Sequence, residues 1–167
     1  RITDVPGASA VYGYGAVTYA NEAKHDMLGV SNTTLRKYGA VSGQVAAEMA
    51  FGAADMGGSD YALAVTGIAG PDGGTLEKPV GLVYIALAAG NEVFVKKLKT
   101  GGRSREYVRT LSVLNALDML RRHIQGYDIP EARRFTKGQE ANLEREGRPK
   151  RRGGGALRRR VGSAAVL

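Results

Sequence analysis

The string VTGIAGPDGGT at residues 65–75, continued by EKPVG at 77–81, sets the strongest limit on how this chain folds. Four glycines and a proline in eleven residues exclude both a helix and a strand across it. On either side lie near-continuous apolar runs, YALAVT (61–66) and VGLVYIALA (80–88), as expected of strands covered on both faces. The next run, EVFVKKLK (92–99), alternates and suits an edge strand, and YGAVTY (14–19) also reads as a strand. A short helix starts at Asn21 and ends at Gly29, and a second follows Ser42, a candidate N-cap ahead of Val45, Ala46, Met49 and Ala50 on one face. Tyr107, Leu111, Leu114, Leu117, Leu120 and Ile124 recur at three- and four-residue steps and predict an amphipathic helix over 104–124. Strands interleaved with helices give an α/β fold, a layered domain with a mixed sheet flanked by helices.

A chain of 167 residues fits one domain. Its formal charge of +8 is unevenly spread: residues 1–126 hold 13 Lys/Arg against 11 Asp/Glu, and residues 127–167 hold 11 against 5. The expected division is a domain over 1–126 and a basic tail over 127–167, disordered or weakly helical around 130–146. No run approaches the roughly 18 to 20 apolar residues of a membrane span, and the first residues lack the apolar run of a signal peptide, so no membrane partner is expected. With zero cysteines there is no disulfide framework and no thiolate, which suits a reducing compartment, and a cytoplasmic location is expected. Two histidines, His25 and His123, without cysteine make a zinc site improbable, and neither a metal nor another cofactor is expected.

Three segments have residues suited to chemistry, and each has a plain structural alternative. The glycine-rich string, with Thr66, Gly67, Gly70 and Gly73, can turn backbone N–H groups toward an anion at a strand end, with Lys78 as an added charge. Equally, it can be a long hairpin connection whose glycines only satisfy turn geometry. It matches neither the Walker pattern nor GxGxxG, so it does not predict binding of a nucleoside triphosphate or a dinucleotide. In TYANEAK (18–24), Tyr19, Asn21 and Lys24 can converge at the start of a helix, where a lysine of lowered pKa is a general base. The alternative is a helix-capping Asn21 and a solvated Lys24. Arg105 and Arg109, one turn apart and preceded by Arg103, can clamp a phosphate or form an ordinary solvated face.

The strings TDVPGAS (3–9), TYANEAK (18–24), LGV with YGAVS (28–42), VTGIAGPDGGTLEKPVG (65–81) and the RxxxR of Arg105 and Arg109 together resemble the C-terminal domain family of CinA, the competence/damage-inducible protein, over about residues 1–125. The resemblance implies a nicotinamide-nucleotide amidohydrolase, converting nicotinamide mononucleotide and water to nicotinate mononucleotide and ammonia. It also implies a homodimer and no metal requirement. In that family a serine of a Ser-Cys-Thr-Gly-Gly motif is assisted by the tyrosine and lysine of Tyr-x-Asn-x-x-Lys, which here are Tyr19, Asn21 and Lys24. Substrate contacts are expected from Asn21, Thr66, Gly67, Gly70, Gly73, Lys78 and Arg105.

The sequence departs from the family at both ends. It contains no Ser-Cys-Thr-Gly-Gly string, and Ser9 and Ser42 follow a Pro-Gly turn and precede a helix. The expectation is an N-terminally truncated member without the first family helix, with impaired deamidation and exposed apolar surface. The family domain normally ends near Gln125, so the tail is either a basic extension or the product of a shifted reading frame. Two other functions stay open: a non-catalytic pyridine-nucleotide-binding module, and non-specific nucleic-acid binding through the arginine-rich tail.

Overall fold

The computed structural model describes residues 1–139. Two short 3₁₀ turns, Ile2–Asp4 and Ala8–Ala10, lead to helices α1 (Asn21–Leu28), α2 (Asn32–Tyr38) and α3 (Gly43–Gly57). Strands β1 (Tyr61–Gly67), β2 (Leu82–Ala89) and β3 (Glu92–Lys99) follow, then helix α4 (Arg105–Ile124) and strand β4 (Ala132–Thr136). The sheet has the order β1-β2-β3-β4, and every pairing is antiparallel rather than mixed. Consecutive strands are joined by reversals, so the β1–β2 connection is a hairpin and not a crossover.

The two faces of the sheet bury different side chains. Ala62, Ala64, Ala86 and Ala88 face α3, whose Ala46, Ala47, Ala50 and Ala53 are also buried, so small side chains on both surfaces bring helix and sheet close. Leu63, Val83, Ile85 and Leu87 face the other way and pack against Val108, Ala116, Met119 and Leu120 of α4. The α/β expectation is met as a helix, sheet, helix arrangement. Ser42 caps α3 by accepting from the N–H of Val45, and Ser104 caps α4 by accepting from that of Tyr107. Gly29 ends α1 at φ 65°. The short helix α2, capped by Ser31, has no apolar periodicity in the sequence to announce it.

Two strand expectations are corrected. Residues 14–19 form no ladder among the described residues, although burial alternates along the segment and Ala16 and Thr18 are buried. The period-two pattern records a segment lying against the core, where the Tyr14 hydroxyl donates to the carbonyl of Ala53. Nor is β3 an edge: β4 pairs with it, setting Val93 opposite Phe135 and Phe94 opposite Arg134. The ordered domain therefore runs past Gly126, and residues 132–136 are a strand, neither disordered nor helical. Ile129 and Ala132 pack on the α4 side and Phe135 on the α3 side, while Arg134 pairs with Glu92 across the strands. The remainder of the expected tail, residues 140–167 with its arginine runs, lies outside the described residues. Among those described, no helix is long and apolar enough to cross a membrane.

Candidate functional site

The end of β1, the start of α1, the loop before α3 and the first turns of α4 meet around a cavity of about 460 Å³. Its lining holds Tyr19, Asn21 and Lys24 from one predicted segment, Thr66 and Gly67 from a second, and Arg105 and Arg109 from a third. Three stretches far apart in sequence thus converge, because α1 and α3 pack against each other on one side of β1 while α4 crosses the other. Three cations and no carboxylate line the cavity among the described residues. The lining suits an anionic ligand. A larger apolar groove of about 680 Å³ adjoins it between α4 and the N-terminal turns and shares Val65, Arg105 and Arg109.

Lys24 is the buried cation, 6% exposed. Its Nζ donates to the carbonyls of Thr18 at 2.7 Å, Tyr19 at 3.2 Å and Ala20 at 3.4 Å, so the chain preceding α1 wraps around the amine. Burial pushes the Lys24 amine below its ordinary value of 10.5, and the neighbouring Glu22 carboxylate pulls the other way. The alternative of a solvated Lys24 is therefore corrected. Asn21 does not cap α1 either: the N-cap is Ala20, with no side-chain bond, and Asn21 is the first helical residue. Tyr19 is 81% exposed, at the rim of the cavity.

Arg105 donates from a guanidinium nitrogen to the carbonyl of Gly70 at 3.1 Å, so the glycine-rich hairpin orients it from across the cavity mouth. Gly70 needs φ 77°, and a Cβ there would meet Val80 at 2.5 Å. Gly67 lies in the ladder, where a Cβ would come within 2.9 Å of the Leu82 carbonyl. Gly73 and Lys78 do not reach this cavity. Gly73 is an exposed turn residue at φ 87°, and Lys78 donates from Nζ to the Tyr38 carbonyl at 2.5 Å on the other side of the loop before α3. The turn around 75–78 closes on itself through Thr75 and Lys78, so the tip of the string serves the hairpin and its base serves the cavity. Arg103 stacks over the Tyr107 ring at 5.6 Å and is not part of the lining.

Sequence reasoning missed two hydroxyls. Thr18 is buried and its Oγ1 has no partner among the described residues, while Ser112 of α4 lines the same cavity. Strand-like alternation marks Thr18 as inward, but nothing in the helical pattern separates Ser112 from a core position. The Ser112 hydroxyl donates to the Val108 carbonyl at 2.7 Å and that of Thr66 to the Ala40 carbonyl at 2.8 Å. Neither histidine belongs to the site: His25 Nδ1 lies 2.8 Å from the Val30 carbonyl, and His123 packs against Tyr61 and Phe94. No group of three metal-ligating side chains occurs among the described residues.

Comparison with known proteins agrees with this arrangement. A family model described as the CinA C-terminal domain matches residues 1–124. A CinA-like protein of Desulfovibrio desulfuricans is 56% identical over 131 residues, covering 77% of this chain and 31% of that protein, and one of Geobacter sulfurreducens is 55% identical over 124, covering 74% and 30%. The chain thus spans about a third of the length of these curated relatives. Among solved structures, a competence/damage-inducible protein of Agrobacterium tumefaciens superposes with a TM-score of 0.70 at 49% identity, covering 71% of this chain and 73% of that one. The competence damage-inducible protein A of Klebsiella pneumoniae gives 0.71 at 31% identity, covering 76% and 78%. With the family model spanning both the lysine and the arginine sides of the cavity, this chain belongs to the CinA C-terminal domain family.

Proposed function

We propose that the cavity is the substrate site of a nicotinamide-nucleotide amidohydrolase. The observation that carries the reading is the convergence of Lys24, Arg105 and Arg109, with no carboxylate among the described residues, on one cavity of about 460 Å³. That volume lies within the range of small-ligand sites, roughly 300–1,000 Å³. In this reading Arg105 and Arg109, one helical turn apart, hold the phosphate of nicotinamide mononucleotide by charge-assisted hydrogen bonds. The carboxamide then lies toward Asn21, the unpartnered Thr18 hydroxyl and Lys24. Gly67, without a side chain, lets β2 pack close at the strand end that lines the cavity.

Deamidation requires an oxygen nucleophile to add to the carboxamide carbon, the C–N bond to break, and the departing nitrogen to leave as ammonia with an added proton. Lys24 is the proton carrier in this scheme. As an ammonium it donates to three carbonyls; on releasing a proton it keeps two, and the Ala20 contact at 3.4 Å is the weakest to give up. Desolvation favours that release. The serine hydroxyl in the cavity is engaged with the helix backbone, and the sequence has no Ser-Cys-Thr-Gly-Gly string. The 167 residues alone are therefore a ligand-holding site with impaired turnover.

The test is ammonia release from nicotinamide mononucleotide by this chain, with the product identified by chromatography. Weak or absent release from a folded sample that binds the nucleotide is expected. Rapid release that survives Lys24→Met would overturn the assignment of the proton carrier.

A further inference from the structure

On the opposite side of the residue 38–42 loop from the proposed substrate site lies a second cavity, also about 460 Å³. It opens at the N-terminus of α3, where Ser42 occupies the cap and the backbone N–H groups of Gly43 and Gln44 have no protein acceptor among the described residues. Such free N–H groups with the helix dipole behind them favour an anion. The second observation is Gln44 itself. Its residue is 6% exposed, it lines this cavity, and its side-chain amide has no hydrogen-bond partner among the described residues. Its amide atoms are not sealed from solvent, so the side chain presents its donors and its acceptor to the cavity.

The remaining lining supplies charge. Lys78 reaches in from the hairpin, held by the Tyr38 carbonyl, and Lys97 of β3 stands over the Tyr84 ring at 5.5 Å. Arg133 also lines the cavity, and Glu131 is its single carboxylate among the described residues. Cations thus outnumber carboxylates by three to one. We propose that this cavity is a second anion site, specific for a phosphate group, in which the amides of Gly43 and Gln44, the Gln44 side chain, Lys78 and Lys97 take the phosphate oxygens. Tyr38 and Tyr84 leave an aromatic wall for an organic substituent if the phosphate is a monoester.

The site does not depend on the amidohydrolase reading, because it shares none of Lys24, Arg105 or Arg109. Its test is an amide-resolved NMR titration of the full chain with inorganic phosphate and, separately, with phenyl phosphate. Saturable shifts at Gly43 and Gln44 are expected for both, tighter for the monoester if the aromatic wall engages it. Lys97→Glu, an exposed position that leaves the core intact, weakens the midpoint by about tenfold, the scale of one lost charge-assisted hydrogen bond. Gln44→Leu gives a second loss with the residue volume kept. Arg105→Ala with Arg109→Ala leaves the midpoint unchanged. The absence of saturable shifts at Gly43 and Gln44 up to tens of millimolar phosphate overturns the proposal. Shifts indifferent to Lys97→Glu and Gln44→Leu also overturn it.

Discussion

Replacing Gly52 by alanine tests how tightly the helix that bears Lys24 is held. Gly52 is half-buried on the face of α3 that meets α1, and a Cβ there would stand 1.8 Å from the Leu28 carbonyl oxygen and 2.6 Å from its carbon. Leu28 is the last residue of α1, and α1 begins at Asn21 with Lys24 one turn in. An ordinary contact needs more than 3 Å, so α1 has to retreat by over an ångström or α3 has to shift against the sheet. Overpacking of this kind costs about 3 kcal/mol, and the gain in helix propensity from Gly to Ala returns about 1, leaving a net loss near 2 kcal/mol. For a domain of this size that lowers Tm by about 7 °C. The assay is thermal unfolding followed by circular dichroism, with Gly13→Ala, where a Cβ meets nothing within 4 Å, as the control. Because Lys24 moves with α1, affinity for nicotinamide mononucleotide should fall as well. A Gly52→Ala protein that melts within 2 °C of the parent, equivalent to about half a kcal/mol, and binds the nucleotide unchanged would refute the reasoning.

Three further outcomes follow from the same structure. His123 is half-buried between Tyr61 and Phe94, and this desolvation pushes its imidazole below the ordinary 6.5 despite the opposing pull of Glu92. The native state binds fewer protons there than the unfolded chain, so stability is full above about 6.5 and falls as pH drops toward the lowered value; urea titrations at a series of pH values should show the fall, and His123→Gln should flatten it. Ending the chain after Gly126 removes β4 and with it the packing of Ile129 and Phe135, a loss of about 3 kcal/mol or more in chemical denaturation, whereas a dispensable tail would cost nothing. Lys24→Met removes a buried amine whose lowered pKa leaves the native state with fewer protons than the unfolded chain as pH rises toward the ordinary 10.5, so the gain in stability with pH expected of the parent below that value should vanish in the variant.

The sequence made the core strands legible because each buries both faces, and the apolar runs at 61–66 and 80–88 need no partner to be recognised. Helix α4 and the cap at Ser42 are equally plain from spacing, whereas Ser104, expected as the first residue of that helix, is its N-cap. Strand β4 was not. Its Arg133, Arg134 and neighbouring charges read as tail, and only the tertiary structure shows that Arg134 lies over the Phe94 ring and pairs with Glu92. The segment at 14–19 failed in the opposite sense, since alternation reports burial and not ladder pairing. At the site, TYANEAK and the arginine pair converge as their motifs suggested, but Lys78 and Gly73 sit apart from Gly67, because a fifteen-residue region bent into a hairpin cannot present both its base and its tip to one cavity. Thr18 and Ser112 escaped notice because a buried hydroxyl looks like any small core residue until its hydrogen bonds are known.

Calorimetric titration of nicotinamide mononucleotide into the 167-residue chain, repeated on Arg105→Ala with Arg109→Ala, tests the central claim most directly. Saturable one-site heat from the parent, weakened at least about a hundredfold in the double variant for two lost charge-assisted contacts, is the expected result. No heat at millimolar nucleotide, or equal binding by parent and double variant, would contradict it.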